Sequence, residues 1–215
     1  MKLTWIGHAC FQLTAQDGTV VITDPYDESV GIDMIPLEAR LITMSHDHHD
    51  HCERSTIVGS PMIARGLSIA CVGSVFARAV RSYHDEEQGA KRGENYIRIF
   101  AVDGLKVVHM GDQGCMPDDA VIEKIKGADI MLIPVGGTYT VDAKGAKAII
   151  ERAKPRCVVP MHVKTARCPY PIAPVTDFLK EMDAEGLEPI AELEAGAGDA
   201  LPAVALLAPQ ADALW

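Results

Sequence analysis

The segment 46–51 has the residue types and the spacing of a metal site. It reads H-x-H-x-D-H and contains His46, His48, Asp50 and His51. If residues 46–48 are extended, the first two imidazoles lie on one face, because strand side chains alternate, and they can share one ion. A turn directly after them would direct Asp50 and His51 toward a second ion. Imidazole and carboxylate are the usual ligands of zinc, and they also bind manganese and iron.

An apolar segment directly before this cluster fixes its place in the predicted fold. Residues 41–44 are typical of a buried strand, so the cluster follows the carboxyl end of a strand, where α/β proteins place ligands. The alternative is a solvated polar loop, which accounts for most single histidines. Several ligand types at fixed spacing favour the metal site.

The segment 43–52 resembles the metal-binding motif of the metallo-β-lactamase fold superfamily of hydrolases. The resemblance implies a four-layer αββα sandwich of α/β (α+β) class, with residues 1–215 as one domain. The residue pattern alone predicts mixed α and β structure. It indicates a hairpin of strands 98–102 and 106–110, followed by alternating helices and strands from residue 118 onward, with closing strands at 188–193 and 203–207.

The resemblance also implies three further metal ligands, each after a predicted strand. His84 matches the third-motif histidine and would bind the first metal with His46 and His48. Asp112, in a Gly-Asp-x-Gly stretch, matches the carboxylate that bridges both metals. His162 matches the fifth-motif histidine, which would join Asp50 and His51 on the second metal. The alternatives are a surface loop histidine, a turn aspartate and a core histidine.

Two further residues are expected beside the metals rather than on them. Asp24 matches the first-motif aspartate and is expected to accept a ring N–H from a ligand histidine. His8, in Gly7-His8-Ala9, is expected to line the site. Together with the stretch 133–139, it resembles the branch that contains ascorbate-6-phosphate lactonase and uncharacterised metal-dependent hydrolases. His49 and His109 are expected not to bind metal, and neither are Cys52 and Cys115.

These residues predict a hydrolase with two divalent cations, zinc first, with manganese or iron as alternatives. Paired cations lower the pKa of water toward neutrality, so that it can attack an ester, lactone or phosphoester. Asp50 and the bridging Asp112 are the predicted catalytic residues, and Asp50 would move the proton.

Two alternatives stay open: an iron-dependent oxidoreductase on the same fold and a metal-binding protein without catalysis. The di-iron flavoprotein relatives carry glutamate at the second motif histidine, whereas this chain has His48. Its seven candidate donors also exceed the four of a structural zinc site.

Three residues after later strands could hold an anionic group of a small-molecule substrate. They are Tyr139, Lys164 and Arg167. Loops at strand ends commonly carry binding residues, although lysine and arginine in loops also serve solubility.

Composition limits the partners of the chain. Its formal net charge is −10, which disfavours nucleic acid because phosphate binding needs a basic face. No apolar stretch is long enough to span a membrane, and the amino-terminal residues do not have the pattern of an export signal. The six cysteines form no C-x-x-C pair, so free thiols in the cytoplasm are expected. The apolar tail 201–215 is expected to be a closing strand or a contact in a homo-oligomer.

Overall fold

The computed structural model describes residues 1–210, and the last five residues of the predicted tail lie outside that range. Two six-stranded sheets form the centre of the molecule, with strands and helices numbered along the chain. In spatial order, the first sheet consists of β14 (Leu193–Glu194), β1 (Lys2–Gly7), β2 (Cys10–Thr14), β3 (Val20–Thr23), β5 (Leu41–Thr43) and β7 (Met62–Ala64). The second consists of β13 (Cys157–Met161), β12 (Ile130–Pro134), β11 (Leu105–His109), β10 (Glu94–Val102), β9 (Val75–Tyr83) and β8 (Ala70–Val72).

Outside the sheets lie short elements on one side and longer helices on the other. A two-stranded ribbon, β4 (Leu37–Glu38) with β6 (Ile57–Val58), and the short helix α1 (His49–Cys52) belong to the segment that follows β3. The helices α2 (Asp119–Ile125), α3 (Ala143–Ala153) and α4 (Val175–Glu181) accompany the second sheet, where α2 contacts β9 and α4 contacts β13. The predicted sandwich of sheets with outer helices is confirmed, although the layer outside the first sheet is mostly loop.

Strands of the first sheet are apolar at consecutive positions, and both faces of this sheet are buried. Val21 and Leu41 belong to the main core between the sheets, whereas their neighbours Ile22 and Ile42 belong to a smaller core under segment 26–39. Consecutive strand side chains point to opposite faces, so a strand that is apolar at consecutive positions must be covered on both sides. Segment 26–39 supplies that cover, with Tyr26 fully buried.

Strand direction brings the ends of several strands to the same edge of each sheet. In the first sheet β3 runs parallel to β5, and β1 has the same direction because both β1 and β3 pair antiparallel with β2. In the second sheet β11, β12 and β13 are parallel, and β9 shares their direction through the antiparallel β10. Residues that directly follow any of these strands therefore gather at one end of the sandwich.

Two predicted elements differ in extent from the structure. The predicted closing strands 188–193 and 203–207 are reduced to β14 and to single bridges that Val204 and Leu207 make with Val158 and Ile190. Proline has no N–H to donate to a ladder, and Pro189 lies within the first segment while Pro202 directly precedes the second. Within residues 1–210 no helix combines the length and the apolarity needed to cross a bilayer.

Candidate metal centre

Three histidines form a first cluster of donor atoms. His46 follows β5, His48 lies two residues further on, and His84 directly follows β9. One ring nitrogen from each of them lies within 4.8 Å of the others. The ring centroids are 4.6 Å apart for His46 and His48, and 4.8 Å apart for His46 and His84. Three imidazoles at this spacing can share one cation.

A second cluster lies beside the first and contains three histidines and a carboxylate. Its donor atoms, one from each of four residues, also lie within 4.8 Å of one another: His8, Asp50, His51 and His162. His8 Nε2 is 3.4 Å from Asp50 Oδ2, and the rings of His8 and His162 are 4.0 Å apart. The structure therefore places His8 among the donor atoms, whereas the sequence predicts it only as a lining residue.

Asp112 lies between the two clusters. Its Oδ2 is 3.1 Å from His84 Nε2 in the first cluster and 3.4 Å from His162 Nε2 in the second. Its Oδ1 is 3.2 Å from His51 Nε2. The carboxylate is buried, and one side chain thus reaches donors of both clusters.

Glycines allow the loop of Asp112 to approach its neighbours closely. A Cβ on Gly114 would lie 2.2 Å from the backbone carbonyl of His84, and a Cβ on Gly111 would lie 2.3 Å from Asn95 Oδ1. Gly111 also has a φ of +56°, which side-chain-bearing residues rarely adopt. The Gly-Asp-x-Gly sequence is therefore required by the close packing of this loop on β9 and β10.

Several of the converging atoms are buried without a hydrogen-bond partner. Among the described residues these include Nε2 of His8, His46 and His51, and Oδ1 of Asp112. Buried polar atoms normally find a partner, because each unsatisfied one costs about 1–3 kcal/mol. Nitrogen and carboxylate oxygen atoms that point at a common space match the ligand set of divalent cations, so the residues fit the metals that the motif implies.

Burial keeps two of the imidazoles, those of His8 and His46, in the neutral form that binds metal. Desolvation, reinforced by His162, lowers the pKa of His8 to about 4, and desolvation together with His51 lowers that of His46 to about 3. Neutral imidazole is the ligand form, so no proton has to leave these rings at pH 7. Burial opposes ionisation of Asp112, but His162 and His51 hold its pKa well below its ordinary value.

Asp24 contacts His51 of the second cluster directly and His46 of the first cluster through Ser45. Its Oδ2 is 2.9 Å from His51 Nδ1, and its Oδ1 accepts the backbone N–H of Ser45 at 2.8 Å. The Ser45 hydroxyl donates to Asp24 and lies 2.9 Å from His46 Nδ1. A His51 that donates its Nδ1 proton to Asp24 presents the lone pair of Nε2 to the cluster. Asp24, His46 and His51 also form a third compact group of donor atoms, but both Asp24 oxygens are engaged by these contacts.

The remaining histidines and cysteines take no part in the clusters. His109 is buried; its Nε2 donates to Ala9 O at 2.8 Å, and its Nδ1 accepts the N–H of Gly111. His49 is exposed and contacts Asp27 and Ser29. Within residues 1–210 no cysteine joins a group of converging donors.

A cavity of about 350 Å³ opens onto both clusters. Its wall consists of His48, His49, Asp50, His84, Arg92, Asp112, Tyr139, His162 and Tyr170. Of the three residues predicted to hold substrate, Tyr139 lies in this wall. Lys164 instead donates through Nζ to the carbonyl of Tyr170 at 2.9 Å and to that of Cys168, and Arg167 pairs with Asp33 at 2.9 Å. Arg92 and Tyr170 also line the cavity, but the sequence did not predict them as wall residues because no local residue pattern distinguishes them.

Comparison with known proteins agrees with this geometry. Residues 2–162 match the model of a family described as the beta-lactamase superfamily domain. The chain belongs to this superfamily. The match covers every residue of both clusters, from His8 to His162.

Superfamily relatives cover most of the chain. A metal-dependent hydrolase of the UPF0173 group from Archaeoglobus fulgidus is 29% identical over 221 residues, which cover 87% of this chain and 93% of the relative. A UPF0173 protein from Pyrococcus furiosus is 30% identical, covering 85% of this chain and 90% of its own length.

A solved superfamily structure is similar over almost its whole length. It is the crystal structure of a proposed zinc-dependent hydrolase of the metallo-β-lactamase superfamily from Thermotoga maritima. It has a TM-score of 0.77 and 31% identity, and the match covers 96% of each chain. Together with the two donor clusters, these likenesses support a metal-dependent hydrolase of the metallo-β-lactamase superfamily.

Proposed function

We propose that the chain hydrolyses a small-molecule ester, lactone or phosphoester at a centre of two divalent cations, with zinc as the first candidate. The observation that carries this proposal is Asp112, whose two oxygens approach His84 on one side and His51 on the other. His46, His48 and His84 would hold one cation with Asp112. Asp50, His51 and His162 would hold the other with Asp112, and His8 is close enough to join them.

The donor chemistry supports zinc. Imidazole and carboxylate sets suit zinc and also manganese or iron. The solved relative from Thermotoga maritima, 31% identical to this chain, is described as a proposed zinc-dependent hydrolase. When bound, a pair of divalent cations lowers the pKa of water and stabilises negative charge on a carbonyl or phosphoryl oxygen.

Proton transfer in the proposed reaction is assigned to Asp50. Asp50 is partly exposed to the cavity, and its Oδ2 lies 3.4 Å from His8 Nε2 and 3.8 Å from His51 Nε2. Burial opposes ionisation of Asp50, but the proximity of His8 and the charge of His51 hold its pKa below its ordinary value. As a carboxylate it accepts a proton from the attacking water and returns that proton to the leaving oxygen. The water oxygen forms the new bond to carbon or phosphorus, the old ester bond breaks, and an acid and an alcohol result.

Metal analysis combined with activity tests this proposal. We expect protein purified without added metal to contain about two zinc or manganese ions per chain and to hydrolyse generic lactones, aryl esters or phosphodiesters. Asp112→Ala should lower the metal content and reduce kcat/KM about 100-fold or more, since even a partner of a ligand contributes 10- to 100-fold.

Asp47→Ala is the matched control for this variant. Asp47 belongs to the same histidine-rich segment, but its carboxylate is exposed and pairs with Arg65 at 2.9 Å. It should keep both metal and activity. Full activity in Asp112→Ala would overturn the bridging role, whereas a single iron per chain with thiol-dependent oxygen uptake would favour the oxidoreductase alternative.

A further inference from the structure

We propose that Arg92, with the rings of Tyr139 and Tyr170, forms a subsite for a second anionic group of the substrate, a carboxylate or a phosphate remote from the bond that is cleaved. This inference rests on the proposed hydrolytic function and adds the substrate class. The hydrolysed group would lie at the donor clusters, and the remote anion would contact the Arg92 guanidinium in the same cavity.

Charge within the cavity supports the proposal. Among the described residues that form the cavity wall, Arg92 alone has a permanent positive charge. Its contacts within residues 1–210 are the ring of Tyr139, 5.5 Å from the guanidinium carbon, and the Thr138 carbonyl at 3.4 Å. Five other arginines, including Arg65 and Arg167, are paired with a carboxylate. The Arg92 guanidinium therefore keeps donors for an anion, and guanidinium binds carboxylate and phosphate through two parallel hydrogen bonds.

The loop that carries Arg92 is held in place before any ligand binds. The Asp85 carboxylate accepts four backbone N–H groups of this loop, including that of Arg92 at 2.7 Å, and those of Glu87, Gly89 and Lys91. The loop also closes on itself through the N–H of Gly93 and the carbonyl of Gly89, 2.9 Å apart. A backbone fixed in this way reduces the ordering cost when a ligand binds.

The two tyrosines form the aromatic part of the subsite. Their ring centroids are 6.1 Å apart in an edge-to-face arrangement. The Tyr170 hydroxyl lies 2.8 Å from Ser29 Oγ, and the Tyr170 backbone carbonyl accepts from Lys164. Lys164, predicted as a direct substrate contact, thus holds the backbone of a wall residue. The cavity volume of about 350 Å³ suits a small molecule with apolar atoms between its two polar ends.

A pair of esters of similar length tests the subsite. p-Nitrophenyl hemisuccinate carries a terminal carboxylate where p-nitrophenyl butyrate carries a methyl group. We expect the wild-type holoenzyme to prefer the hemisuccinate in kcat/KM by about 10- to 100-fold, the range for hydrogen bonds between charged groups. Arg92→Gln should abolish this preference, measured as the ratio of the two kcat/KM values. Arg92→Lys should keep part of the preference, because the charge remains without the planar fork.

Lys91→Gln is the matched control. It removes one positive charge from the neighbouring residue, whose side chain is exposed, pairs with Glu87 and lies outside the cavity wall. The preference should be unchanged in this variant. A preference that Arg92→Gln retains, or that Lys91→Gln also loses, would overturn the proposal.

Calorimetry gives a readout that does not need turnover. Wild-type holoenzyme should bind succinate about 10-fold or more tightly than butyrate, and Arg92→Gln should bind both equally. Titration with 3-phosphonopropionate distinguishes a phosphate-selective subsite from a carboxylate-selective one. If neither ester is hydrolysed but succinate binding depends on Arg92, the proposed function fails and the subsite stands. Equal binding of succinate and butyrate by the wild type would overturn the subsite.

Discussion

The backbone N–H of His162 donates to the backbone carbonyl of His8 at 3.1 Å and joins the end of β13 in one sheet to the end of β1 in the other. Both residues have left-handed backbones, with φ of +55° and +51°. Such conformations cost about 1 kcal/mol or more outside glycine, and they cluster at functional sites. Because this hydrogen bond connects the two sheets, it holds together the strand ends that carry His8 and His162 of the second cluster.

Asp24 should control metal affinity without being needed as a ligand. In Asp24→Asn one carboxylate oxygen becomes an NH₂ group, so the side chain can no longer accept from both Ser45 and His51. We expect zinc affinity to fall about 10- to 100-fold, measured by competition with a chromophoric chelator.

The matched control for this variant is Asp27→Asn. Asp27 also contacts a histidine, with 3.2 Å between its Oδ1 and His49 Nδ1, but His49 belongs to neither cluster. Zinc affinity should be unchanged in this variant. Equal affinities for Asp24→Asn and the wild type would show that His51 needs no orientation by Asp24.

Removal of metal should destabilise the fold, because buried donor atoms then converge without a cation to bind. A cation that binds only the folded state stabilises it by about 4 kcal/mol at 1,000 times its Kd. For a chain of this size that corresponds to a rise in Tm of roughly 10 °C. Melting curves with a chelator and with added zinc would measure the difference. The Tm of Asp112→Ala should change little when zinc is added. A wild-type Tm that is the same with and without the chelator would contradict the metal centre.

Arg98 should stabilise the segment that carries the first ligands. Its buried guanidinium donates to the carbonyl of Met44, two residues before His46, and to that of Gly66 at 2.9 Å. Burial lowers the pKa of Arg98 to about 10, so the side chain stays charged at pH 7. Arg98→Met would leave two carbonyls without these donors, and we expect a loss of roughly 2–4 kcal/mol in urea unfolding of the metal-free protein.

The control for this prediction is Arg81→Met. Arg81 is exposed and pairs with an exposed Glu94 at 3.2 Å, and such pairs contribute about 0–1 kcal/mol. If both variants lost the same stability, the buried carbonyl contacts of Arg98 would have no special role.

Asp17 should make stability dependent on pH in the acid range. It accepts the N–H groups of Thr19 and Ser74, each at 2.8 Å, and thereby joins the β2–β3 turn to the β8–β9 turn of the other sheet. These hydrogen bonds lower the pKa of Asp17 to about 2. A carboxyl pKa that is depressed on folding stabilises the protein above the unfolded value, and this contribution is lost as the pH falls toward the folded value.

The difference in Tm between wild type and Asp17→Asn would test this dependence. Metal-free protein is used so that protonation of the histidine clusters does not release a cation. The difference should be full at pH 5 and should shrink between about pH 4 and pH 2. A constant difference over that interval would contradict the role of the ionised carboxylate.

The positions of many candidate donors are predictable from the sequence because they depend on strand ends. Residues such as His84 and His162 follow apolar runs, and the direction of those strands decides that they meet. The resemblance to the superfamily supplied the order of the motifs. The approach of His8 to the donor atoms of the second cluster is not predictable in this way, because a side chain at a glycine-flanked strand end has no periodicity from which its direction can be inferred.

The cavity wall could not be predicted in the same way. Lys164 and Arg92 are both cations in loops after strands, but Lys164 donates to two backbone carbonyls of its own loop, whereas Arg92 lines the cavity. That difference depends on how each loop closes, and the contacts that close the Arg92 loop are made by Asp85 with backbone groups, which no residue pattern reports.

The cavity wall and the donor clusters are attached to the fold in different ways. The candidate donors directly follow strands or lie in the two short segments 46–51 and 111–114, whereas Arg92, Tyr139 and Tyr170 lie on three separate loops. Exchange of one such loop for that of a relative can therefore alter which molecules are accepted while the hydrolytic apparatus is left intact. The same sandwich offers a starting point for engineering new selectivity by loop grafting.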